Sequence, residues 1–159
     1  MKKFTMLLVI VLVVVAGSFI FFFFRMGISD TKALADFPVD YKNYDQAISN
    51  FYKAVLASNP ENASATSYLE HKVDETLNLL NAQASVRISS LTKNDGDLMK
   101  VSLEIADLAG KEFDTLKAYR SAVADKTNDI DKLTEEFEDL RNHRQAAYSH
   151  YLELAKGKY

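Results

Sequence analysis

The chain has 159 residues and no cysteine. That is the size of one domain, and it excludes a disulfide framework, a thiolate nucleophile, a Cys-ligated zinc site and a cysteine-anchored lipoprotein. The net charge of −3 is unevenly placed: setting aside Lys2, Lys3 and Arg25 leaves 16 basic and 22 acidic side chains, a balance of −6 that gives no electrostatic footprint for nucleic acid and no attraction to anionic headgroups.

Phe4 to Phe24 is a run of 21 residues without a charge, its only hydroxyls being Thr5 and Ser18. As a helix it is about 31 Å long, which matches a hydrocarbon core of about 30 Å. Residues 1–25 therefore read as a transmembrane helix that meets the lipid bilayer through Phe4–Phe24. A cleaved export signal has an apolar region of about 7–15 residues closed by small ones. Ala16-Gly17-Ser18 supplies the small residues, but Phe19 to Phe24 carries the apolar run on, so the reading is an uncleaved signal anchor. Lys2 and Lys3 precede the span, and Arg25 and Lys32 follow it. The short dibasic start resembles the n-region of an export signal and places the N-terminus in the cytoplasm, with the domain on the outer side of the cell membrane. Phe4-Thr5-Met6-Leu7-Leu8 looks like the start of a type IV pilin. Lys3 and Leu8 stand where that family has Gly and Glu, so the likeness is one of apolar composition.

Residues 26–39 read as a juxtamembrane linker and 40–159 as a helical bundle domain. Within the linker Lys32 to Asp36 forms at most a short helix, which Pro38 ends because the residue before a proline avoids the helical region. From Asp40, a candidate cap, to Ala57 the residues Tyr41, Tyr44, Ile48, Phe51 and Val55 fall on one helix face. Asn59-Pro60 stops that helix. The next begins at Pro60 or at Ser67, where Ser67 and Glu70 have capping-box spacing, and carries Leu69, Val73, Leu77, Leu80, Ala84, Ile88 and Leu91.

Thr92 to Asp97 is a turn cluster. A third stripe follows in Leu98, Val101, Ile105, Leu108, Leu116, Tyr119 and Val123, with Gly110 inside it as a mark of a close helix contact or a kink. A fourth runs through Ile130, Leu133, Phe137, Leu140, Ala147, Tyr151 and Leu154. Val123 and Ile130 are seven apart, so the heptad phase permits a single rod of about 90 Å. Asp125, Asp129 and Asp131 cluster where a new helix N-terminus favours negative charge, and Lys156 and Lys158 lie at the far end; the charges favour a hairpin. The fold class is therefore all-α, a transmembrane helix followed by an antiparallel four-helix bundle.

Tyr44-Asp45-Gln46-Ala47-Ile48 through Phe51-Tyr52-Lys53-Ala54 and on to Asn59-Pro60 resembles the second helix of a tetratricopeptide repeat. Ala47, Phe51 and Ala54 match that family's packing positions, over about 20 residues, with the proline one place late. The resemblance implies an adaptor, here facing the cytoplasm. The histidines are His71, His143 and His150; the latter two share a helix face with Asp139 one turn away, but the Glu-x-x-His pairs of di-iron bundles are missing, and the histidines read as solvated. Arg144 interrupts the last seam, seven residues from both Phe137 and Tyr151. Its expected place is stem packed and charge turned to water, with an anion or a partner carboxylate as the functional alternative. Glu135, Glu136, Glu138 and Asp139, followed by Arg141, read as a solvated face or a dock for a basic partner. The Tyr-x-x-Tyr pairs Tyr41/Tyr44 and Tyr148/Tyr151 suit core or rim packing, and Asn62-Ala63-Ser64 has the glycosylation spacing.

No phosphate-binding glycine loop, G-x-S-x-G or H-E-x-x-H occurs. The sequence points away from an enzyme and assigns no catalytic, cofactor-binding or metal-ligating residue. It leaves three readings: a membrane-anchored protein-interaction or scaffold component of an envelope assembly, with a protein partner or self-association; a sensor-like ligand-binding bundle, by analogy of fold with chemoreceptor input domains; and the tetratricopeptide-like adaptor.

Overall fold

A computed structural model describes residues 36–57, 63–85, 93–125 and 129–156. The transmembrane expectation for Phe4–Phe24, the linker as far as residue 35, and the positions of Asn59-Pro60, Asn62, Ile88, Leu91 and Lys158 lie outside these residues. Four helices fill the described chain, with no strand among its residues: α1 over 36–56, α2 Ala63–Ala84, α3 Lys93–Asp125 and α4 Ile130–Ala155. No helix among them is long and apolar enough to cross a membrane.

The helix bounds differ from the sequence expectation in ways the packing explains. Helix α1 includes Asp36 to Val39, and Pro38 sits in its first described turn. Phe37, placed by sequence in the linker, is 1% exposed and packs on Tyr151 with ring centroids 4.8 Å apart. Asp40 does not cap α1; it lies inside the helix, with its carboxyl near the side-chain amide of Gln83 of α2. Ser67 lies a full turn inside α2 and is exposed, so it caps nothing. Residues 93–97, expected as a turn, are the first turn of α3, where Asp95 meets the positive end of the helix dipole.

Pairs across α1 and α4 descend in order: Phe37 with Tyr151, Tyr41 with Tyr148, Asp45 with Arg144, Ser49 with Arg141 and Tyr52 with Phe137. These two helices are therefore antiparallel. Tyr44 reaches Ala109 and Phe51 reaches Phe113, so α1 runs parallel to α3. Helices α3 and α4 pack along their length as a hairpin, and not as one rod. Helix α2 lies against α3, where Arg120 pairs with Glu70, and touches α1 through Gln83 and Asp40. The result is an up-down-up-down bundle. Residues 67–84, where a second tetratricopeptide repeat would need a turn, are unbroken helix.

The four apolar stripes meet in one core. Its buried aromatic side chains come from α1, α3 and α4: Phe37, Tyr41, Tyr44, Phe51, Phe113, Tyr119, Phe137 and Tyr151. A Cβ at Gly110 would meet nothing within 4 Å, so this glycine does not serve a close helix contact.

Candidate functional site

Charge collects in the middle of the core. Arg144 of α4 and Glu112 of α3 are both 0% exposed. Arg144 is placed there by its heptad position between Phe137 and Tyr151, and Glu112 by the equivalent position between Ile105 and Tyr119. The expectation that Arg144 turns its charge to water is corrected: partners on two neighbouring helices hold the guanidinium inside. Its Nε donates to Glu112 Oε2 at 2.6 Å and its Nη2 to Glu112 Oε1 at 3.3 Å. The same Nη2 donates to Asp45 Oδ1 of α1 at 2.8 Å. The acceptors are carboxylates of this chain, not those of a partner. Nη1 is buried with no hydrogen-bond partner, while the guanidinium carbon lies 5.2 and 5.1 Å from the ring centroids of Tyr41 and Tyr44. Cation–π attraction to those faces offsets part of its lost hydration.

Tyr44 completes the group. Its hydroxyl donates to the Ala109 carbonyl at 2.7 Å and lies 3.3 Å from Glu112 Oε2. Burial pushes its pKa well above the ordinary tyrosine value, and the Glu112 carboxylate adds to the rise. Burial likewise takes Tyr41 to about 12, against the pull of Arg144. The pKa of Glu112 is raised by burial, which Arg144 only partly counteracts. Burial alone would lower the pKa of Arg144, but Glu112 more than reverses this and the guanidinium stays charged. The tyrosines therefore hold their protons through the neutral range, and Glu112 and Arg144 expose no surface to a substrate.

A column of rings seals the α1–α4 side. Tyr41 stacks on Tyr148 with centroids 3.6 Å apart and planes at 9°, and Tyr148 is followed by Tyr151 at 6.3 Å. The two Tyr-x-x-Tyr pairs thus meet each other; three of the four rings are buried and Tyr148 is half-buried.

The other sequence candidates do not converge. His71, His143 and His150 are exposed, and His143 lies against its own helix, with Nδ1 3.0 Å from the Asp139 carbonyl and 3.4 Å from its carboxylate. No group of three or more His, Asp or Glu side chains among the described residues could hold a metal ion. Glu135, Glu136, Glu138 and Asp139 are exposed on α4, whereas Arg141 turns to α1 and donates to Ser49 Oγ at 2.7 Å. An open groove of about 460 Å³ lies between α3 and α4 near their connection, with Ala118, Ala122 and Leu133 on its walls and Asp125, Asp129, Lys132 and Glu136 around it.

Glu112 is the member of the cluster that the stripe reading passed over. The signal was present: it stands seven residues from Ile105 and from Tyr119, as Arg144 stands between Phe137 and Tyr151. Two opposite charges at core heptad positions of adjacent helices are a pairing signal. No family model, curated protein or solved structure matches the chain.

Proposed function

We propose that the protein is a single-pass membrane protein whose helical bundle acts as a protein-interaction or scaffold component of an envelope assembly, and not as an enzyme. The reading rests on one observation above others: the cluster where chemistry would be sought is closed inside the core and occupied by its own partners. Arg144 and Glu112 have no exposed surface, and the adjacent tyrosines keep their protons at neutral pH. The uncharged run Phe4–Phe24 supports the anchor. Contact surface is offered by the outward apolar residues Val39, Leu56, Tyr68, Leu79, Leu103 and Leu152, each at least 40% exposed.

The test uses the full-length chain in its native membrane. Alkaline carbonate should leave it in the membrane pellet, and protease added to sealed cells or right-side-out vesicles should digest the domain. Cross-linking before mild-detergent extraction should then give a species of fixed stoichiometry, holding either a second polypeptide or a second copy. Release by carbonate overturns the anchor. Protection from external protease favours the cytoplasmic adaptor, and a monomer that never cross-links overturns the assembly role. The α3–α4 groove gives the sensor reading structural support; a reproducible rise in melting temperature with a small amine or other metabolite would favour it.

A further inference from the structure

Three heptad rows carry their polar member at one level. On α1 the row is Phe37, Tyr44, Phe51; on α3 it is Leu98, Ile105, Glu112, Tyr119; on α4 it is Ile130, Phe137, Arg144, Tyr151. All are buried except the half-buried Ile130. A second α1 row, Tyr41, Ile48 and Val55, repeats at the same interval. A seam that repeats every seven residues maps onto itself when the helix slides by one heptad, so ring and aliphatic packing discriminates poorly between registers.

We infer that the layer formed by Tyr44, Asp45, Glu112 and Arg144 is a register lock, which fixes α1 axially against the α3–α4 hairpin. Each of its cross-helix bonds exists at one axial position. Arg144 spans α3 and α1 at once, through 2.6 Å to Glu112 and 2.8 Å to Asp45. The Tyr44 hydroxyl reaches the Ala109 carbonyl at 2.7 Å. Sliding α1 by one heptad brings Phe37 or Phe51 to the level of Arg144 and carries the Tyr44 hydroxyl and Asp45 away from their partners. Buried polar groups without partners are costly, so the slipped registers are penalised even where their apolar packing is sound. A polar residue at a core heptad position sets register in coiled coils in the same way. The lock concerns alignment, not strength: replacing a buried ion pair with well-packed apolar groups is often neutral or stabilising.

The absence of cysteine makes register directly measurable. Lys42→Cys on α1 and Glu135→Cys on α4, both at exposed positions, accept spin labels in the full-length chain in detergent micelles, and pulsed dipolar spectroscopy reads the distance between them. The parent should give one narrow distribution. Glu112→Leu, Arg144→Leu and Tyr44→Phe together, which leave α1 no bond in this layer, should keep the helical content and cooperative melting while adding a second population displaced along the axis by about 10 Å, seven residues at 1.5 Å each. A single unchanged narrow distance in that folded variant overturns the lock. Should that triple variant fail to fold, Tyr44→Phe with Asp45→Ala removes the bonds that α1 makes in this layer and leaves Glu112 and Arg144 paired. Broadening or a second distance there supports the lock, and an unchanged distribution overturns it.

Discussion

In a buried ion pair such as Arg144 with Glu112, losing one partner costs more than the intact pair contributes. Truncating the arginine alone, as Arg144→Met, leaves Glu112 ionised in the core with no guanidinium. Breaking one side of a buried pair costs about 3–5 kcal/mol, and urea denaturation of the variant should show a loss of that order at pH 7. The loss should depend on pH with a definite sign. The pKa of Glu112 already stands above the ordinary glutamate value because burial outweighs the pull of Arg144, and removing that pull raises it further. A group whose folded pKa is raised contributes stability below its unfolded pKa, and the contribution is lost as pH rises through the folded value. The gap between variant and parent should therefore narrow as pH falls from 7 toward 5; a gap that widens would refute the assignment of Glu112 as the stranded charge. The same sign governs Tyr41 at the alkaline end. Its pKa of about 12 implies stability present below the ordinary tyrosine value near 10 and lost as pH rises through 12. Tyrosinate absorbance should show a step near pH 12 that Tyr41→Phe removes.

At the scale of the helix, Gly110 is the weak point of α3. It lies inside a 33-residue helix, and a Cβ there meets nothing within 4 Å. Gly110→Ala should therefore stabilise the protein by about 0.5–1 kcal/mol through the entropy of the unfolded chain, read as a higher urea midpoint with an unchanged slope. A destabilised variant would mean that the backbone at 110 moves in a way the static bundle does not show. Gly110 also illustrates what was legible in the sequence. The seven-residue spacing of Tyr41, Ile48 and Val55, or of Phe137 and Tyr151, identified α1 and α4 and their buried faces, because burial of one stripe dictates that spacing. Local punctuation was less reliable. Pro38 carries a boundary signal, yet neighbouring helices bury Phe37 and α1 includes both, while α2 begins at Ala63 and runs through Ser67. Arg144 stands out as a break in its seam, whereas its partner Glu112, at the same spacing between Ile105 and Tyr119, is stepped over by a stripe drawn from apolar residues alone.

For the molecule as a whole, the four helices are unequally held. Helices α1, α3 and α4 share the buried ionic layer and all eight of the core's aromatic rings. Among the described residues of α2, Val73, Leu77, Leu80 and Ala84 are buried, and its aromatic residue, Tyr68, is 63% exposed. Among its side-chain contacts with the rest, Glu70 with Arg120 and Gln83 with Asp40 lie on half-exposed surface, where ion pairs and hydrogen bonds contribute little. Aliphatic burial thus carries most of the attachment of α2, at about 25 cal/mol per Å² of apolar area, whereas the other three helices must give up ring stacking and strand buried charges in order to part. Local opening follows the thinnest attachment. Hydrogen exchange should therefore proceed in two stages: the amides of Ala63–Ala84 through an opening well below the global unfolding free energy, and the middle turns of α3 and α4 only with global unfolding. The two stages should respond differently to substitution. Leu80→Ala, which truncates a fully buried side chain of α2, should speed exchange across α2 and leave the middle turns of α3 comparatively protected. Arg144→Met should speed exchange in α1, α3 and α4 together. Equal protection of α2 and α3 in the parent would show instead that the bundle opens as a single unit, with α2 held by more than its aliphatic face.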